Sequence, residues 1–249
     1  MSKKRRWLAM LSIASLFIAV GGCSDDDDPI QTQQVNQELA EEVAAGAMDF
    51  LLEFGSDIAD LIEAANAPKA GNMGRQIECA PIPGLESDFF CTVPANGEIC
   101  PVDETTTQWV FSNCMETGVE PGIVDGTVTV TESGNVYNLD FNLDVDDGTI
   151  DGSLQVELGD PCVSLTYTDL EFDEDGVSVT LNETITLCDS GPSGSVSATV
   201  SATGFQRFIM DLSFPQGIPT IVITSATTME PLFSCTYNPI TESASCFPW

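Results

Sequence analysis

From Trp109 onward the chain alternates apolar and polar residues with a period of two, and this repeat constrains the fold more than any other feature. Tyr137, Leu139, Phe141, Leu143 and Val145 interleave with Asn138, Asp140, Asn142 and Asp144. Val128 and Val130 interleave with Thr127, Thr129 and Thr131, and Leu154, Val156 and Leu158 repeat the pattern. Val196, Ala198 and Val200 follow, then Phe208, Met210, Leu212 and Phe214. Successive side chains of a strand point to opposite faces, so each segment gains one apolar and one polar face. That is the pattern of antiparallel sheet packed on one side only. Turn signals divide the runs at Ser133-Gly134-Asn135, Asp147-Gly148, Glu174-Asp175-Gly176 and Ser190-Gly191-Pro192. The pattern predicts a mainly β fold: a curved or partly closed antiparallel meander of roughly ten strands, with a helix on its apolar face.

A weak internal echo runs through the strands. Val124-Asp125-Gly126-Thr127-Val128, Ile150-Asp151-Gly152-Ser153-Leu154 and Pro192-Ser193-Gly194-Ser195-Val196 each open one. The intervals differ, so this is no fixed-period solenoid. A recurring local solution accounts for it: a glycine at positive φ followed by a β-former.

One helical segment precedes the strands, over residues 36–67. Ala44, Met48, Leu51, Gly55, Ile58, Ile62 and Ala65 are spaced alternately by four and three, and Leu39, Val43, Ala47 and Leu52 widen the stripe. Glu41, Glu42, Asp49, Glu53, Asp57, Asp60 and Glu63 form a polar face without a cation. An interfacial membrane helix places lysines and arginines there, so the stripe is expected to face the domain's own sheet. Gly55-Ser56-Asp57 could divide the segment, with Ser56 capping the second part.

The N-terminus carries a separate message. Lys3, Lys4, Arg5 and Arg6 precede an apolar run from Trp7 to Val20, then Val20-Gly21-Gly22-Cys23. A run of 14 residues is too short for a stable membrane span and suits the core of a signal peptide. The segment resembles the lipobox of bacterial lipoproteins, a small aliphatic residue and two small residues before the modified cysteine. The resemblance implies cleavage of 1–22, lipidation of Cys23 and membrane attachment through acyl chains, each buried methylene contributing roughly 0.8 kcal/mol. Residues 23–35 then form an acidic tether, with four consecutive aspartates, Asp25 to Asp28. Ser24 stands where the inner-membrane retention signal of Gram-negative lipoproteins has Asp, which favours the outer membrane. Ser24-Asp25-Asp26-Asp27-Asp28 also resembles an acidic surface-export signal, so the anchored protein is expected on the periplasmic face or the cell surface.

Residues 68–249 hold the other eight cysteines, and an exported chain is expected to pair them as four disulfides. If Glu174-Asp175-Gly176 is a three-residue hairpin loop, residue numbers across it sum to 350, which sets Cys162 opposite Cys188. Val163 then faces Leu187 and Leu165 faces Ile185, apolar on apolar. Asp169 would face Leu181, so a bulge is expected near the tip. Cys235 and Cys246 bracket a turn near Asn238-Pro239, Cys91 and Cys100 bracket Pro94-Ala95-Asn96-Gly97, and Cys79 is left with Cys114. No Cys-x-x-Cys occurs, so a zinc site is not expected.

Without the signal segment the cations are Lys69, Arg75 and Arg207, against 39 acids. Such a field repels nucleic acid and anionic headgroups and favours at most weak divalent-cation binding. Glu171-x-Asp173-x-Asp175-Gly176 has acids at positions one, three and five of a calcium loop, but Asn182 stands at position twelve. Asp144, Asp146, Asp147 and Asp151 form a second cluster around Gly148. Both suit acidic hairpin tips, and no metal site or cofactor is expected. The chain has no histidine, which removes Ser-His-Asp and Cys-His catalysis and the His-Glu-x-x-His metalloprotease helix. A carboxylate pair of the glycosidase kind is the enzymatic chemistry left, and 39 acids supply such pairs by chance. The expectation is a non-catalytic, lipid-anchored envelope module that binds or supports a protein partner. The alternative is a carrier holding an apolar ligand between helix and curved sheet.

Overall fold

The computed structural model describes residues 34–48 and 51, short stretches at 80–81, 89–90 and 98–102, and most of 105–249. Within the last range, 117–122, 146–147, 175–176, 189, 216–217, 239–240 and 242 are outside the description. Helix α1 covers residues 37–48 and residue 51 is helical too, so the predicted helix is seen in its first part. Asn36 caps it: its Oδ1 accepts the Leu39 amide at 2.8 Å, satisfying a donor that the first turn leaves open.

Among the described residues fourteen strands follow. Three short ones precede Trp109: β1 (Ala80–Pro81), β2 (Phe89–Phe90) and β3 (Glu98–Pro101). The alternation begins too late to reveal them. Then come β4 (Thr106–Glu116), β5 (Ile123–Ser133), β6 (Val136–Val145), β7 (Gly148–Leu158) and β8 (Cys162–Glu174). They continue as β9 (Val177–Cys188), β10 (Gly191–Ala202), β11 (Phe208–Ser213), β12 (Thr220–Ser225), β13 (Pro231–Asn238) and β14 (Ser243–Pro248). From β4 to β14 each strand pairs antiparallel with the next, an eleven-strand meander. The strand order runs from β1 through β3 and β4 to β14, with β2 pairing β4 off this path, and among the described residues the sheet is not closed into a barrel.

The apolar face follows the alternation. Burial along β6 repeats at Tyr137, Leu139, Phe141 and Leu143, and along β12 at Ile221, Ile223 and Ser225. Leu39, Val43, Met48 and Leu51 of the helical segment belong to one hydrophobic cluster with the inward residues of β4 to β14. Ser225 is a buried polar residue whose hydroxyl is consumed locally. It accepts from Gln206 Nε2 at 2.7 Å and from the Thr227 and Thr228 amides at 3.3 and 3.2 Å.

Among the irregularities of the ladder, two bulges share one construction. On β4, Ser112 and Asn113 oppose the single residue Asp125; on β8, Thr168 and Asp169 oppose Asn182. Asn113 and Asp169 have φ of 48° and 45°, a left-handed conformation that Asn and Asp tolerate best after glycine. In each bulge the facing side chain takes the amide of the inserted residue: Asp125 accepts from Asn113, and Asn182 Oδ1 accepts from Asp169 at 3.0 Å. Such insertions bend a strand and increase its twist.

The echoed glycines fit this bending. Gly126, Gly152 and Gly194 have φ of 115°, 113° and 95°, as the echo predicts, but they lie inside β5, β7 and β10 rather than in turns. Gly152 is the tightest. A Cβ there would fall on the carbonyl oxygen of Asp169, within the β8 bulge.

Candidate functional site

Cys23, the expected lipidation site, lies outside the described residues, as does the whole segment 1–33. The cysteines of the domain are placed more fully. Cys162 pairs with Cys188 in the β8–β9 register, with Cα atoms 4.2 Å apart, and they form a disulfide. Cys235 and Cys246 face each other across β13 and β14, 4.0 Å apart, and are also bonded. Cys100 and Cys114 are disulfide-bonded as well. They do not bond each other, because Cys100 faces Gln108 and Cys114 lies six residues farther along β4. Their expected partners, Cys91 and Cys79, lie outside the described residues.

The loop used to predict Cys162–Cys188 needs correction. Glu174 pairs with Val177, so the connection has two residues, not three. A two-residue turn alone would put Cys162 opposite Asp189. The extra residue sits at Asp169 instead, and Leu170 faces Leu181 where Asp169 was expected. An insertion on one strand shifts the far register equally whether it is in the loop or in a bulge.

The polar face carries carboxylates held by hydroxyls. Ser153 donates to Asp140 at 2.6 Å, Ser178 to Glu171 at 2.7 Å, Ser195 to Glu183 at 2.6 Å and Ser197 to Asp211 at 2.9 Å. Gln155 donates to Asn138 at 2.9 Å, and the hydroxyls of Thr166 and Thr184 bond at 2.9 Å. These bonds run between neighbouring strands, so the acids are braced by neutral donors rather than cations. Arg207 is the only lysine or arginine among the described residues.

Glu171 and Asp173 belong to this face. β8 runs extended through Glu174, so the calcium-loop spacing is realised as a strand entering a hairpin. Asp144 and Asp151 sit on β6 and β7, opposite Thr149 and Asn142, while Asp146 and Asp147 lie outside the described residues. Among the described residues no three His, Cys, Asp or Glu side chains are grouped to hold a metal ion.

Sequence reasoning missed two features. One is interior: Trp109 Nε1 and Tyr167 Oη are buried without a hydrogen-bond partner among the described residues. Burial disfavours the phenolate and pushes the Tyr167 hydroxyl well above its ordinary pKa. The other is at the sheet edge. Glu41 on α1 accepts the Gln37 side-chain amide at 3.0 Å and the Cys246 backbone amide at 3.1 Å. The Gln37 bond first, and the Cys246 bond second, hold its pKa below the usual value against a small opposing effect of desolvation. No signal in the sequence links residues 205 apart.

In comparison with known proteins, the chain matches no family model, no curated protein and no solved structure.

Proposed function

We propose that the protein is a lipid-anchored, non-catalytic module of the bacterial cell envelope that binds or supports a partner through its sheet face or loops. The observation carrying this reading is Val20-Gly21-Gly22-Cys23 behind a cationic stub and a 14-residue apolar run. Ser24 and the acidic tether favour the outer membrane of a Gram-negative cell, at the periplasmic face or the surface. The shared hydrophobic cluster supports a helix lying on the apolar side of the sheet. That would leave the polar face and the loops for partners. The field of 39 acids disfavours nucleic acid. The absence of histidine and the exposed, serine-braced carboxylates support a role without catalysis. Intact-mass analysis of the mature protein tests the anchor. A first residue Cys23 carrying acyl chains supports it, and an unmodified chain starting elsewhere contradicts it.

One observation favours the carrier alternative. Trp109 Nε1 and Tyr167 Oη are buried polar groups that an enclosed ligand with acceptor atoms would satisfy. Leu51, buried in the cluster, favours a filled interior instead, while Leu52, Phe54 and Ile58 lie outside the described residues. Native mass spectrometry separates the two: a co-purifying small molecule selects the carrier, and the bare mass of the protein selects the module.

A further inference from the structure

Strands β11 to β14 meet at one end in a surface unlike the rest of the polar face. Phe247 and Trp249 are 65% and 72% exposed, and Phe247 stands on the opposite face of β14 from the buried Cys246. Trp249 donates its amide to the Leu232 carbonyl at 3.0 Å, which fixes it beside the start of β13. Met229, 65% exposed, lies in the turn just before β13. The Arg207 carbonyl accepts the Ala226 amide at 3.1 Å, so exposed Arg207 lies at this end too. Charge divides the molecule in the same way. Fifteen acids fall between Ile123 and Cys188, and three fall after Gln206, of which Glu230 adjoins Met229; α1 adds Glu38, Glu41 and Glu42 near β14.

The chain enters the domain at this edge. The bond from Cys246 to Glu41 places α1 beside β14, and Asn36 is only about 8 Å back along the helix axis. From Cys23 to Val35 the tether spans at most about 45 Å when fully extended. A lipid on Cys23 therefore tethers the domain near its β14 edge, on the side of Phe247 and Trp249.

We propose that the end bearing Met229, Phe247, Trp249 and Arg207 rests on the bilayer surface, with the aromatic rings at headgroup level and the guanidinium on lipid phosphate. The proposal rests on the lipid-anchor reading. Indole and phenyl rings favour the membrane interface, and an arginine beside them suits phosphate. Repulsion from the acidic strands turns them away from the membrane. The sheet's polar face would then have a fixed orientation, with β5 to β9 presented away from the lipid.

The mature chain has two tryptophans, buried Trp109 and exposed Trp249, so fluorescence separates the interior from the patch. Lipidated protein is reconstituted into phosphatidylcholine vesicles with and without bromine on the acyl chains. Intact mass and co-flotation with the vesicles are measured on the same sample. The expected result is loss of tryptophan emission in brominated vesicles, abolished by Trp249→Phe. Lipidated, floating protein with unquenched emission overturns the proposal and leaves the anchor standing, whether the patch then faces solvent, a second copy or another protein. Quenching that persists in Trp249→Phe also overturns it. Protein without lipid that does not float overturns the anchor, and the proposal with it.

Discussion

The carboxylate of Glu41 accepts the backbone amide of Cys246, tying the helix to the last strand of the sheet. In an antiparallel ladder alternate amides of an edge strand point away from the sheet. On β14 the Cys246 amide is one of these, and two residues on, Pro248 has none to offer. The edge is thus capped at one position and blunted at the next, which discourages strand addition from another chain.

The Glu41 contact gives a pH dependence with a defined sign. Its folded pKa is lowered, so its contribution is present above the unfolded value, 4.5, and is lost as pH falls through the folded one. Glu41→Gln should melt below the parent near neutral pH. The difference should close in the acid range below about pH 4.5. Thermal melts of both proteins across that range check it, and a difference independent of pH contradicts it.

The Cys162–Cys188 bridge spans 26 residues. Closing a loop of that size contributes roughly 3 kcal/mol in the chain-entropy model. The double substitution Cys162→Ser, Cys188→Ser should therefore lower the denaturation free energy by about that much, read from urea titrations. Peptide mapping without reduction should recover Cys162 linked to Cys188, and a link to any other cysteine would contradict the register.

The pairing of that hairpin was legible in the sequence, but its cause was only partly so. One inserted residue shifts the far register equally in the loop or in the strand, and the cysteines alone do not distinguish the two. Apolar spacing does. Leu165, Tyr167, Leu170 and Phe172 step by two, three and two, and Trp109, Phe111 and Cys114 show the same break. In both places a tolerant Asn or Asp sits at the break. Long-range contacts left no such trace: Glu41 is one of several acids on the helix's polar face. The orphaned groups of Trp109 and Tyr167 read as ordinary core aromatics, because alternation reports which face a side chain takes and not whether its polar atom is satisfied. Strands β1 to β3 are too short to show a period.

Gly152 tests the bend directly. Gly152→Ala combines a φ of 113° with a Cβ placed on the Asp169 carbonyl, and should cost about 3 kcal/mol or more. Gly134→Ala, with φ of 68° in the β5–β6 turn and open space around it, should cost about 1 kcal/mol. Equal melting temperatures for the two variants would show that the sheet is not drawn tight at Gly152.

Fractionation of cells expressing the Cys23→Ser variant tests membrane attachment through Cys23. The parent should partition with membranes as an acylated form. The variant should either appear in the soluble fraction or accumulate as an uncleaved precursor. A variant that remains in the membrane fraction with the same processed mass as the parent would show that Cys23 does not carry the anchor.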